Sequence, residues 1–314
     1  MSVAEAGDGS KPMHTRRAAE APCVSVLMTI YNAGPYLSRS IDSLIAQSFP
    51  EWELIAIENG SSDECAATLA RYEQDPRIRA FFLKSNIGRT PALRYAFSQA
   101  RGKYIAVLDA DDIAQPQRLL KQVDHLDSHP ETVLLGTWAD HIDARDAVIG
   151  QSTPPTETAM LLRSMASENP IVHSSAMYRA AIAHEVGGYP EHRPYSQDYG
   201  LWLRLLARGE AAMLPERLTQ FRILSSSMTR SPEHETAVAR DILQAMIDAR
   251  ETLKLCEEGK RLNREAIAIA RLRYAVALAR SRRLPEGLRA LCRALAADPI
   301  SIVNNRITRS FFRH

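Results

Sequence analysis

The chain has 314 residues, 45% hydrophobic and 24% charged, which fits one large or two small globular domains and argues against a disordered or fibrous polypeptide. Its 39 Lys and Arg nearly balance 37 Asp and Glu, but residues 281–314 hold seven Arg and two acids, a local net of +5 that leaves −3 elsewhere. By charge the body is therefore no nucleic-acid binder, whereas the basic tail suits an anionic surface.

Cys23, Cys65, Cys256 and Cys292 form no CxxC pair, so neither a zinc site nor a disulfide framework is indicated and a reduced, cytoplasmic setting is expected. No stretch approaches the eighteen or so apolar residues that a membrane span requires. Residues 1–21 lack the apolar run of a secretory signal and read as a disordered leader, with a transit peptide as the lesser alternative.

Strand-like runs follow at 24–31, 53–59, 78–84, 104–109 and 133–138, mostly continuous apolar as in strands covered on both faces. Between them the pattern predicts helices over about 35–47, with Tyr36, Ile41, Leu44 and Ile45 on one side, and over 63–73, capped by Ser61 or Ser62. Two more are expected in "TPALRYAFSQA" and "QPQRLLKQVDHL", the latter with Pro116 early in the helix. Strands alternating with helices argue a doubly wound α/β sheet. Helices are expected again at 157–166, at 178–186 and from Asp198, then a short strand "LTQFRI". From about 233 to 297 the chain reads helical, ending in a hairpin broken at Pro285 and closed at Pro299.

Ligands of doubly wound sheets sit at the carboxyl ends of the strands. There the sequence places "TIYN", "ENGSSD", "SNIGRTPALR" and "DADD", one after each of the first four strands. No GxGxxG or GxxxxGK[ST] is present, so dinucleotide and P-loop folds lack support. Counted from Asp109 as a calcium loop, the sixth position is Ala114 and the twelfth Leu120, where glycine and glutamate are needed. Like charges at Asp109, Asp111 and Asp112 repel. A divalent ion would relieve them, and a site with one or two protein carboxylates suits Mg2+ or Mn2+ bound together with phosphate oxygens.

The blocks "VSVLMTIYNAGPYLSRSIDSLIAQSF", "IENGSSD", "NIGRTPALRYAF", "LDADDIAQPQRLLKQV", "HSSAMYR", "GGYPEHRPYSQDYGLWLRLL" and "FRI" occur in the order typical of family 2 glycosyltransferases with the GT-A fold, which this chain resembles over about 22–230. The resemblance implies an inverting enzyme with a nucleotide-sugar half at 22–140 and an acceptor half at 157–230, leaving residues 231–314 as a helical extension with a basic tail. It implies that Thr29 and Tyr31, with Asn32 beside them, line the base, that Glu58 and Asn59 touch its edge, and that Arg94 lies near the diphosphate. Asp109 and Asp111 become the DxD pair, with Ala110 between them: Asp111 holds the metal, and Asp109 assists the metal or the ribose. Asp198 becomes the general base, and His173 and Gln197 fall on the acceptor side.

Two positions depart from many relatives. Asn59 stands where an aspartate is common, and Leu224 in "FRIL" stands where a histidine can complete the metal shell, so fewer protein ligands are expected. The implied partners are a nucleotide-diphosphate sugar and a glycan or lipid-linked acceptor in surface polysaccharide synthesis, with membrane contact through the basic tail. Two readings compete. A haloacid-dehalogenase-like phosphohydrolase would use "DADD" as its nucleophile motif, and a non-catalytic scaffold would use the helical tail.

Overall fold

The computed structural model describes residues 21–224 and 234–297. Apolar runs at Val24–Ile30 (β1) and Trp52–Glu58 (β2) form the middle of the sheet's parallel part, and every side chain of β2 is buried. Strand periodicity sends alternate residues to opposite faces. Val24, Val26 and Met28 enter a core on one side with Leu37, Ile41, Leu44, Leu119 and Val123. Leu27, Ile55 and Ile57 enter the other with Ala92, Leu93 and Trp202.

Ile78–Phe82 (β3) and Tyr104–Val107 (β4) complete a parallel set in the order β3-β2-β1-β4. Its connections carry the helices Leu37–Ile45 (α1), Cys65–Ala70 (α2) and Arg89–Gln99 (α3). Beyond β4 the sheet becomes mixed. It continues through Met177–Arg179 (β8), Thr132–Ile142 (β6), Glu210–Arg222 (β9) and Ile113–Ala114 (β5), with Val148–Ser152 (β7) as a hairpin on β6. β8 is antiparallel to both β4 and β6, while β6 and β9 run parallel. Arg118–Ser128 (α4), Thr158–Met165 (α5), Ala180–Glu185 (α6) and Gln197–Leu206 (α7) pack around this half.

Glu235–Thr252 (α8), Glu257–Arg280 (α9) and Leu284–Ala297 (α10) follow. Ala245, Met246, Ala249, Leu253 and Ile267 share one apolar cluster with β-sheet residues. The extension is thus continuous with the body's core. The expected boundary near 230 falls in residues 225–233, outside the described residues, as do the leader up to residue 20, Pro299 and the basic tail.

Several local expectations are corrected. Pro116 precedes α4 rather than opening it, because its carbonyl is taken by the Ser48 amide and Gln117 occupies the cap. At the start of α2 the capping oxygen belongs to Asp63, which accepts from Cys65 N at 3.1 Å, and not to Ser61 or Ser62. Those serines instead face Asn32: Ser62 N donates to Asn32 Oδ1 at 2.9 Å. The helix expected from 178 starts at Ala180, since Met177–Arg179 pairs with β4 and β6. Ile45 is exposed rather than on the buried side of α1. The break between α9 and α10 sits at Arg282 (φ 61°), and Pro285 lies inside the first turn of α10, where no amide is missed.

Candidate functional site

The carboxyl ends of the parallel strands open into a cleft of about 1590 Å3. Each strand delivers its polar loop there. Thr29 ends the strand β1 and Tyr31 and Asn32 follow it, Asn59 follows β2, Asn86, Gly88 and Arg89 follow β3, and Asp109, Ala110 and Asp111 follow β4. Asn169, His173, Gln197, Asp198 and Leu224 reach the same cleft from the second half of the chain. Tyr31 is half exposed into this space, so it is no packing residue of the strand.

The loop after β2 is fixed by its own side chains. Glu58 is buried and turned back, its carboxylate accepting from Gly60 N (3.1 Å) and Ser61 N (2.7 Å). It does not line the cleft. The expected contact of Glu58 with a base edge is corrected to support of this turn. Gly60 has φ +71°, and a Cβ there would lie 2.5 Å from the backbone of Ser85, so the turn requires glycine. Asn59 does line the cleft, but its amide already serves the loop after β3. Nδ2 donates to Asn86 Oδ1 (3.0 Å), and Oδ1 accepts from Ile87 N (3.0 Å).

Arg94 is the second correction. It reaches away from the cleft to the carbonyl of Tyr189 and to Glu191 at 2.7 Å. Arg89 occupies the site instead. Its Nη2 lies 2.7 and 2.6 Å from the two oxygens of Asp109 and 3.0 Å from His173 Nδ1. The Gln197 amide, with its oxygen toward the guanidinium, accepts from Arg89 Nε at 3.2 Å and donates to the carbonyl of Pro194. The sequence held a signal for this choice. Arg89 opens α3 directly after the β3 loop, at the ligand edge, whereas Arg94 lies five residues on and faces elsewhere around the helix.

The three crowded carboxylates reach three different states. Burial pushes the Asp109 carboxyl up, but Arg89 and His173 outweigh it and hold Asp109 below the usual carboxylate range. Burial, with repulsion from Asp111 and Asp109, drives Asp112 well above that range. Asp112 is buried beneath the loop, where Oδ1 accepts from Arg222 N at 2.7 Å and the Ser174 side chain lends a further hydrogen bond. Asp111 remains facing the cleft, pushed up to about 6 by burial and by the charge of Asp109, which Arg89 partly offsets. No other described residue donates a hydrogen bond to its carboxylate.

That chemistry fits a hard divalent ion: one open carboxylate, with Asp109 committed to Arg89. Among the described residues no three His, Cys, Asp or Glu side chains converge to hold a metal by themselves, so other ligands must complete a shell. The sequence reading missed how this loop is held. Arg222, fully buried at the end of β9, donates from Nε to the Asp111 carbonyl (2.7 Å) and from Nη1 to the Asp143 carbonyl (2.6 Å), with its guanidinium over the Tyr36 ring.

Asp198 stands in the second position of α7, with Ser196 as the cap residue, so it is not spent on capping. Its Oδ2 accepts from Asn169 Nδ2 at 2.9 Å and its Oδ1 from Tyr199 N at 2.7 Å. Arg89 feels the charge of Asp198 and Asp111 as well as that of Asp109. His173, expected on the acceptor side, belongs to the Arg89–Asp109 cluster and contacts Tyr189 OH through Nε2 at 3.2 Å.

The family model described as Glycosyl transferase family 2 matches residues 25–187. The amylovoran biosynthesis glycosyltransferase AmsE of Erwinia amylovora is 28% identical over 210 residues, 66% of this chain and 78% of that protein. Among solved structures, S. aureus TarS 1–349 in complex with UDP-GlcNAc superposes with a TM-score of 0.64 at 18% identity, covering 92% of this chain and 91% of that one. The mannosyltransferase PcManGT from Pyrobaculum calidifontis, in complex with GDP-Man and Mn2+, gives a TM-score of 0.60 at 19% identity, covering 94% and 81%.

Proposed function

The chain belongs to glycosyl transferase family 2, and on that premise we propose that it moves a sugar from a nucleotide-diphosphate donor to a hydroxyl of a glycan or lipid-linked acceptor, with inversion, in surface polysaccharide synthesis. One observation carries this reading: Arg89, Asp109, Asp111 and Asp198 line a single cleft at the ligand edge of the sheet. The phosphohydrolase alternative loses its footing, because the aspartates follow the fourth strand of a GT-A sheet and the family is a transferase one.

The donor half runs over 22–140 and the acceptor half over 157–230. Tyr31 offers an aromatic face and Thr29 and Asn32 polar edges to the base. Asn59 supports that pocket chiefly by holding the loop of residues 86–88. Asp111 would hold Mg2+ or Mn2+ on the diphosphate, and the ion would act there as a Lewis acid; Asp109, expected to assist the metal or the ribose, is taken up by Arg89 instead. Arg89 adds fixed positive charge facing the oxygens that become negative as the sugar–phosphate bond breaks. Asp109, His173 and Gln197 keep that guanidinium in place. Asp198 takes the proton of the attacking hydroxyl, oriented by the Asn169 amide. One displacement with one base inverts the anomeric centre.

UDP and GDP donors both remain candidates for the base. The enzyme would work at the cytoplasmic face of a membrane, with the basic tail in contact with it. No helix among the described residues is long and apolar enough to cross one.

The test is Asp198→Asn. Transfer to an acceptor should fall by about 10²-fold or more while donor affinity stays within twofold, because the amide keeps the size and one of the two accepted hydrogen bonds but cannot take a proton. Unchanged transfer would remove Asp198 from the role of base.

A further inference from the structure

Asp241 sits in the interior of α8, where aspartate is a poor helix former, and it is only 4% exposed. A carboxylate in such a place is costly unless it is hydrogen-bonded. Its Oδ2 accepts from Tyr195 N at 2.9 Å, in the loop that leads into α7. Three consecutive residues of that loop are tied to three different helices. The Arg193 carbonyl accepts from Thr90 Oγ1 of α3 at 2.9 Å, the Pro194 carbonyl from the Gln197 amide of α7 at 3.2 Å, and the Tyr195 amide donates to α8. The first two ties end beside groups placed at the cleft: Thr90 follows Arg89, while Gln197 accepts from Arg89 Nε and precedes Asp198. A second hold comes from α8, since the Arg193 guanidinium reaches the Asp248 carboxylate and, at 3.3 Å, the Asp241 carbonyl.

We propose that Asp241 is a positioning residue for sugar transfer. Through the Tyr195 amide it sets the loop of residues 193–197, and with it Arg89 and Asp198, so the helical extension is a working part of the site. The inference rests on the transferase reading in which those two side chains act. A part-buried amide that loses its acceptor draws the chain toward another partner. The Pro194 carbonyl moves with it, the Gln197 amide follows, and Arg89 loses the oxygen at its Nε. The start of α7, which carries Asp198, shifts as well. Groups that act on a transition state tolerate misplacement of only about 0.5 Å, so the loss falls on kcat more than on the donor KM.

The experiment compares full-length wild type with Asp241→Ala, Asp241→Asn and a core variant of α9, Ile267→Ala. Hydrogen exchange is read on the peptide covering residues 193–199. Release of UDP or GDP is read from UDP- and GDP-hexoses, with alkyl glycosides as acceptors, per folded molecule. Asp241→Ala should speed exchange of that peptide and lower kcat by about tenfold or more, with the donor KM within about threefold. Asp241→Asn keeps an acceptor oxygen for the Tyr195 amide and should restore both to within about threefold of wild type. Ile267→Ala should lower the melting temperature and leave kcat unchanged. The proposal is overturned if Asp241→Ala keeps wild-type kcat, if the asparagine fails to rescue it, or if Ile267→Ala loses as much. Should Asp241→Ala not fold, Asp248→Ala decides instead. That side chain is 33% exposed, and its removal cuts the Arg193 tie. A fall in kcat of about threefold or more supports the proposal, and an unchanged kcat overturns it. Wild type that turns over none of the donors would sink the transferase reading, whereas active wild type with equally active Asp241→Ala would sink this inference alone.

Discussion

Arg89 begins α3 at an awkward place for a cation, because a helix N-terminus favours negative charge. The contact of its Nη2 with both oxygens of Asp109 and its neighbours His173 and Gln197 offset that cost and fix the guanidinium at the cleft. Arg94, on the same helix, is tied to Tyr189 and Glu191 outside it. The two arginines therefore separate the roles cleanly. Arg89→Ala should lower donor turnover by about 10²-fold, whereas Arg94→Ala should change it by less than about threefold, as kinetics on both variants would show. Equal losses would contradict the assignment. The place of Arg89 at the start of α3 was legible in the sequence, but its pairing with Asp109 and His173 was not, since those partners lie far along the chain. Likewise "DADD" announced a charged loop, while the different fates of its three carboxylates depend on Arg89, His173 and Arg222, distant in sequence.

At the scale of elements, the parallel strands are tied by Glu53. Its Oε1 accepts from Ser25 Oγ of β1 (2.7 Å), and its Oε2 from Arg101 (2.6 Å) and from Arg79 of β3 (3.1 Å). Burial alone would raise this carboxyl, but the bonds from Arg101, Ser25 and Arg79 outweigh it and leave it lowered from 4.5. An acid lowered in the folded state binds protons more readily when unfolded. Its contribution is then fully present above pH 4.5 and fades as pH falls from there through the folded value. Glu53→Gln should cost roughly 3 kcal/mol at pH 7, and urea unfolding should show the difference shrinking below pH 4.5. A pH-independent difference would contradict the link. Elements with strong apolar runs, such as β1 and β2, were legible from sequence. The short strands β5, β7 and β8 were not, because two to five residues carry too little periodicity and their pairing is set by distant partners.

Across the whole molecule, α8 and α9 belong to the main core rather than hanging from it. Asn263 shows why: fully buried, it donates from Nδ2 to the carbonyls of Ala166 (2.7 Å) and Met246 (2.9 Å), joining α9 to α8 and to the end of α5. Asn263→Ala should destabilise the fold by about 2 kcal/mol, as two buried acceptors lose their donor. Urea denaturation should show one cooperative transition for both halves, and two separate transitions would mean an independent helical domain. The helical character of residues 235–297 was plain in the sequence, but its union with the body was not, since it depends on one asparagine and on small residues such as Ala245 and Ala249 that composition alone does not mark.

Mn2+ titration followed by electron paramagnetic resonance, with and without UDP or GDP, addresses the cleft itself. Wild type should hold the ion tightly only when a nucleoside diphosphate that it recognises is present, and Asp111→Asn should abolish that nucleotide-dependent binding. Tight Mn2+ binding without nucleotide, or its retention in Asp111→Asn, would contradict a site in which one open carboxylate and the diphosphate share the ion.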